Sequence, residues 1–301
     1  MIADKPFVGV LFMLGFCILA PMGDALAKVL GETIPLLQLL LARFAAQAVL
    51  LLPLTRRETL GMTPRVFWLT ALRTLLHICG IGAMFTALRF MPLADTVAIA
   101  FVMPFILLIA GHFLAREEVG IRRFAACIAG FAGTLMVIQP SFAEVGAPAL
   151  LPLIVAFAFA GYMMVTRLIA KETDPIGIQC VSGWMAVAVL AAIWALTDPS
   201  LSPALAVVRP GWGEAGLLLC IGAIGTLAHL LMTWSLRYAP SATLAPMQYL
   251  EIPIATIIGW IAFRDLPNGL AALGIAITVG AGLYIVFREQ RIARQAAAPG
   301  V

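Results

Sequence analysis

The chain reads as long apolar blocks separated by short polar stretches. A transmembrane helix needs about 20 mostly apolar residues, and that ruler predicts ten spans, at approximately 6–29, 35–54, 67–88, 93–114, 121–139, 149–170, 176–196, 214–236, 241–263 and 268–287. An echo punctuates the blocks. Leu88-Arg89-Phe90-Met91-Pro92 returns as Leu236-Arg237-Tyr238-Ala239-Pro240, and each copy is followed by an apolar span ending in Arg and an acid, Arg116-Glu117 and Arg264-Asp265.

Sliding the first half along the chain by about 140 to 149 positions also aligns Gly31-Glu32-Thr33-Ile34-Pro35 with Lys171-Glu172-Thr173-Asp174-Pro175, and Gly111 with Gly259. The repeated unit holds five spans, an odd number, so the second copy must enter the membrane the opposite way round. The pattern predicts an all-α membrane protein of two inverted five-helix repeats, 6–140 and 148–288, related by a pseudo-two-fold axis in the membrane plane. Exchanging the roles of the halves gives two near-equivalent conformations, one open to each side, and hence alternating access.

Composition agrees: 62% of residues are hydrophobic and 11% charged, with a mean hydropathy of +1.04, whereas soluble domains carry roughly 25% charged residues. The net charge of +4 would suit nucleic acid, but only three Lys occur and the Arg residues are scattered between apolar runs. No nucleic-acid partner is expected. The N-terminus, loops 2–3, 4–5, 6–7 and 8–9 and the C-terminus carry 13 Lys and Arg against 4 in the other loops, which places both termini in the cytoplasm. Ala25-Leu26-Ala27 mimics a signal-peptidase site; Asp24 just before it, weak N-terminal charge and a matching block at 157–170 argue for a retained first span. Cys17, Cys79, Cys127, Cys180 and Cys220 form an odd, widely spaced set without a Cys-x-x-Cys pair, and read as packing residues.

Three segments carry a family resemblance: Asp24-Ala25-Leu26-Ala27-Lys28 in the first span, Arg43-Phe44 in the second, and Ala245-Pro246-Met247-Gln248-Tyr249-Leu250-Glu251 in the ninth. Through them the chain resembles the EamA-type branch of the drug/metabolite transporter superfamily along nearly its whole length. The resemblance implies ten helices in two inverted repeats, a central cavity and carriage of small organic solutes. Tyr249 to Glu251 followed by Arg264-Asp265-Leu266-Pro267 resembles the subgroup that takes up S-adenosylmethionine or riboflavin.

Ionisable groups inside a bilayer cost about 2.5–3.5 kcal/mol each on translocon scales, and so tend to face a cavity or a partner. Glu251 lies near the middle of the ninth span, close to Gln248 and two residues before Pro253, which frees backbone carbonyls. It reads either as a substrate- or proton-handling acid or as a structural hydrogen-bonding group. Arg73 and His77, four apart, share one face of the third span, where the Arg would grip a carboxylate or phosphate or neutralise Glu251. Arg43 is read as a scaffold ion pair or a ligand contact. Asp24 and Lys28 form an i, i+4 pair, an interfacial ion pair or a gate at the cavity mouth. His112 and His229 look isolated, and no metal set is evident. Phe101, Phe105, Trp184, Trp234 and Tyr249 would stack on a flat ring if they line the cavity.

Gly130, Gly133, Gly274, Gly280 and Gly282 permit close helix approach in the fifth and tenth spans, bracing the bundle or supporting a homodimer; the sequence leaves monomer and homodimer open. In the fourth and ninth spans Pro104 and Pro253 are paired interruptions, which point towards a binding site. Met103 stands where the second repeat has Glu251, and Gly183 where the first has Arg43. A secondary transporter of a small organic metabolite in the bacterial inner membrane is expected, with uptake of riboflavin or S-adenosylmethionine as the narrower reading. Export of amino acids or drugs is the alternative. An intramembrane enzyme is the remote one, since no catalytic nucleophile–base pair, phosphate loop, cofactor motif or metal site is visible.

Overall fold

The computed structural model describes residues 6–55, 62–103, 105–106, 121–170, 172–198, 200, 202–239, 244 and 248–297. Among them there is no strand, and ten α-helices follow one another: α1 (Pro6–Leu30), α2 (Leu36–Leu51), α3 (Pro64–Ala87), α4 (Leu93–Ala100), α5 (Ile121–Val145), α6 (Leu151–Ile169), α7 (Pro175–Leu196), α8 (Trp212–Tyr238), α9 (Glu251–Phe263) and α10 (Gly269–Ala297). Seven described helical stretches, in α1, α2, α3, α5, α6, α7 and α8, are long and apolar enough to cross a membrane. The apolar stretches Glu251–Phe263 and Gly269–Tyr284 are shorter.

Prolines and polar caps set where helices start. Pro64 and Pro175 open α3 and α7, where a missing N–H is harmless. Thr63 accepts from the Val66 amide at 3.4 Å and Asp174 from that of Gly177 at 2.9 Å. Polar residues then go inward: Arg43, Gln47, Arg73 and Gln179 are buried, while Phe7, Trp68, Phe157, Leu196 and Trp212 face outward. That arrangement suits a lipid surround, where apolar surface is free to face out and polar groups must find partners inside.

Helix partners obey one exchange rule. The helix α1 packs on α8 and α6 on α3, α2 on α8 and α7 on α3, α1 on α9 and α6 on α4; α2–α7, α4–α9 and α5–α10 are their own images. Exchanging the first five helices for the second five leaves this pairing unchanged, as a two-fold relation requires. The echoed arginines have matching duties. Arg89 donates to the Ile34 carbonyl at 2.9 Å and Arg237 to the Thr173 carbonyl at 2.8 Å, each tying the end of a third helix to the turn between the first two of its own half. The two latches lie at opposite ends of α1. Ser235, beside Arg237, bonds the Gly9 carbonyl, whereas a side chain at Gly31, beside the last turn of α1, would meet Arg89. Those ends are roughly 30 Å apart at 1.5 Å per residue.

The fourth and ninth spans are not continuous helices. The helix α4 stops at Ala100, turns at Phe101 and Val102 and resumes at Met103; a turn at Tyr249 and Leu250 separates helical Gln248 from α9. Pro253 has no N–H for the Tyr249 carbonyl and so fits the first turn of a new helix. Pro104, His112 and the Arg116-Glu117 pair lie outside the described residues. The two turns touch, with the Phe101 and Tyr249 rings 5.5 Å apart.

Glycines bring α5 and α10 together. A Cβ on Gly133 would come within 2.7 Å of the Gly274 carbonyl oxygen, and Thr278 donates to the Gly130 carbonyl at 3.3 Å. On Gly282 a Cβ would enter the Tyr249 ring. Gly280, in contrast, faces open space.

The central cavity

Between the halves lies a cavity of about 850 Å³, counting its mouth. Phe16, Phe85, Phe101 and Phe159 supply aromatic wall, and Asp24, Arg43, Gln248 and Glu251 supply polar groups. Its lining is that of a small-molecule site, mostly apolar with a few placed polar groups. Met103 and Glu251 both line it, so the place where the halves differ is a place where they differ at the cavity.

Each polar group is delivered by a local feature. Asp24 is buried in the C-terminal third of α1, on its cavity side. Glu251 is the first residue of α9, so the break after Leu250 turns it towards the cavity. Among the described residues the Gln248 amide meets soft partners, the Met13 and Met163 sulfurs at 3.9 and 3.6 Å. Arg43 reaches the cavity because α8 carries Gly225 opposite it, where a Cβ would sit 3.0 Å from the guanidinium Nε. At its repeat counterpart, Gly183, a Cβ would strike the Ala48 backbone at 2.9 Å, so a long side chain cannot be housed there.

Behind the cavity runs a polar cluster. Arg43 Nη2 lies 3.0 Å from His229 Nδ1, with longer contacts to Gln47 at 3.4 Å and the Gly225 carbonyl at 3.5 Å. Gln47 donates to the Gln179 carbonyl at 2.7 Å, and Gln179 donates to the His229 carbonyl at 2.9 Å. His229 Nδ1 also lies 3.0 Å from the Gly225 carbonyl. Arginine can only donate and a carbonyl only accept, so this nitrogen serves one of them at a time.

Several expected roles change. Lys28 does not pair with Asp24: its Nζ meets Asp265 Oδ2 at 2.7 Å and lies 4.7 Å from the Phe263 ring centre. Lys28 is in the last turn of α1 and extends towards the segment after α9, whereas Asp24, one turn earlier, faces the cavity. Arg73 neither lines the cavity nor meets an acid. Its three nitrogens each donate one bond, to Thr166 and Ser182 at 2.8 Å and to Tyr162 at 2.5 Å, which makes it a scaffold bolt. The His77 ring lies 4.3 Å from that of His229, tilted by 39°, and meets Phe44 edge-on, with both ring nitrogens buried and unpartnered among the described residues. His229 is therefore not isolated.

Of the aromatic candidates, Phe101 lines the cavity and Tyr249 packs behind it. Phe105 lies over Gly130, Trp234 packs on Phe12 at 5.5 Å, and Trp184 is half exposed. Sequence reasoning passed over Gln47, Tyr162, Gln179 and Asp95. Asp95 is buried in the first turn of α4, with Oδ1 unpartnered and Ser141 3.5 Å from Oδ2.

Comparison with known proteins bears on this arrangement. The profile of the EamA-like transporter family matches twice, over residues 7–139 and 147–288. A riboflavin transporter of Brucella anthropi is 28% identical over 84% of this chain and 89% of its own length. An S-adenosylmethionine uptake transporter of Rickettsia bellii is 25% identical over 89% of both. A pseudopaline exporter of Pseudomonas aeruginosa is 24% identical over 87% of this chain and 88% of its own. One protein crystal structure superposes with a TM-score of 0.65 at 20% identity, covering 95% of this chain and 98% of its own, and so shares the fold.

Proposed function

The chain belongs to the EamA-like transporter family, and from that premise we propose that it takes up a heteroaromatic cofactor or precursor, riboflavin or S-adenosylmethionine, across the bacterial inner membrane. That it is a multi-pass membrane transporter of small metabolites, and not an enzyme, follows from the family and from its relatives. In the proposed arrangement ten spans form two inverted five-helix repeats, 6–140 and 148–288, with both termini cytoplasmic, and substrate crosses by alternating access. Asp24, Arg43, Gln248 and Glu251 contact the substrate, with His229 behind Arg43.

The observation that carries the reading is the cavity, which draws aromatic wall and polar groups from both halves. A flat ring can stack on Phe101 or Phe159 while its polar edge meets the acids and Gln248. Expression in cells unable to make riboflavin tests it, with growth on trace riboflavin as the readout, alongside uptake of labelled S-adenosylmethionine. Failure of both removes the substrate reading. Export is the second reading, favoured by the exporter among the relatives; proteoliposomes loaded on one side and given imposed pH and voltage gradients distinguish the directions.

A further inference from the structure

We infer that the two ends of the cavity close by different chemistry: a buried hydrogen-bond network is the gate at the Pro6 end of α1, and apolar contact closes the Lys28 end. This rests on the alternating-access reading above and goes beyond it by naming the gate residues. The network begins at the cavity wall, with Arg43 and His229. It continues towards the Pro6 end through Gln47 of α2, Arg73 of α3, Tyr162 and Thr166 of α6 and Gln179 of α7, all fully buried. These side chains form one connected set. Tyr162 accepts from Arg73, and the Gln179 amide nitrogen lies 3.4 Å from Tyr162 Oη and 3.1 Å from Thr233 Oγ1. The bonds of Arg73 to Tyr162, Thr166 and Ser182, of Gln47 to Gln179 and of Arg43 to His229 all cross from the first half of the chain to the second.

Matching Glu32 to Glu172 and Arg89 to Arg237 pairs Arg73 with Ile221, Gln47 with Val187, Gln179 with Leu39, Thr166 with Leu26, His229 with Ile81 and Thr233 with Phe85. In an inverted repeat these counterparts stand at the Lys28 end. All are apolar, and Ile81, Phe85 and Ile221 line the cavity. The halves are joined at that end nearer the surface, by Lys28 with Asp265 and by Gln38 with the Val208 carbonyl. Opening either gate exposes what closes it. Polar groups exchange their bonds for bonds to water at small net change, whereas apolar groups forfeit the gain of burial. The cavity therefore changes character as it changes side. Open at the Lys28 end, it is walled by aromatic, methionine and aliphatic side chains. Open at the Pro6 end, it gains a second guanidinium, two amides, several hydroxyls and the water they hold. A ring-bearing cargo is held in the first state and loosened in the second, so release is favoured at the Pro6 end, the cytoplasmic one in the proposed topology.

Hydroxyl-radical footprinting of the full-length protein in lipid nanodiscs, resolved by residue with mass spectrometry, tests the gates without any cargo. Tyr162 is dry while the Pro6 end is shut and is oxidised when water enters. Gln47→Leu takes a partner from the Gln179 side chain and should raise Tyr162 oxidation by about threefold, the scale of one net hydrogen bond. Gln47→Leu with Gln179→Leu makes this gate apolar as well, and should bring oxidation below that of the unmodified protein. At the far end Ile221→Gln should hinder apolar closure, favour the state open there and so dry Tyr162 from a distance. Unchanged Tyr162 oxidation in Ile221→Gln, or higher oxidation in the double variant than in the unmodified protein, would overturn the inference. Melting of each variant checks its fold, and either of these two variants decides if the other does not fold. Failure to bind riboflavin or S-adenosylmethionine with this pattern intact would sink the uptake reading and keep the gates; loss of the pattern in a protein that binds either one would sink the gates alone.

Discussion

Two buried arginines do opposite jobs, and their partners separate them. Arg73 spends its donors on Thr166, Ser182 and Tyr162. Arg73→Met would strand three buried hydroxyls and is expected to lower stability by about 3–5 kcal/mol, the range for breaking a buried charged network, read as a loss of thermal stability in detergent with or without substrate. Arg43→Gln, whose contacts to Gln47 and Gly225 are longer, should cost less stability than Arg73→Met and in addition weaken substrate binding. Glu251 was readable as a candidate for the cavity, which it lines, because a lone acid in an apolar block stands out. Tyr162 and Gln179 were not, since a single neutral polar residue in a span is ordinary; what makes them part of the cluster is contact across long sequence separations, as between Gln47 and Gln179.

Apolar blocks of the right length showed most of the helices in the sequence, with the predicted starts at 6, 35, 93 and 176 falling on or one residue from Pro6, Leu36, Leu93 and Pro175. Hydropathy could not show that the fourth and ninth spans bend, because Phe101, Val102, Tyr249 and Leu250 are as apolar as any helical residue. Only the prolines hinted at it. Those turns are held by packing, with Tyr249 seated over Gly282 of α10. Gly282→Leu should push the ring off its seat and move the 248–251 segment, reducing transport more than it reduces stability; counterflow and melting measured on the same preparation separate the two. Gly133→Leu, wedged against the Gly274 carbonyl, should instead loosen α5 from α10 and cost about 1–3 kcal/mol in stability as an overpacked contact. The same helices therefore contain a packing seam and a positioning seat within a few turns of each other.

Across the whole molecule, the exchange rule between helix partners is what the proposed alternating access needs, and contacts that break the rule would bias which of two packings is occupied. Lys28–Asp265 is one such contact, joining the last turn of α1 to the segment after α9. Replacing both residues by cysteine and oxidising them should arrest counterflow, and reductant should restore it; transport that continues at full rate in the cross-linked protein would show that this end need not open. The duplication and its inversion were legible from five spans and an echoed pentapeptide, whereas the purpose of the echo was not. Each latch takes a backbone carbonyl as its acceptor, and a carbonyl is present whatever residue stands there. The turns at 31–35 and 171–175 are thus free to diverge in sequence, as Ile34 against Asp174 shows, without loosening the joint. A fixture that depends on one side chain per half survives duplication and drift, and leaves the halves free to become chemically unlike where they meet the cargo.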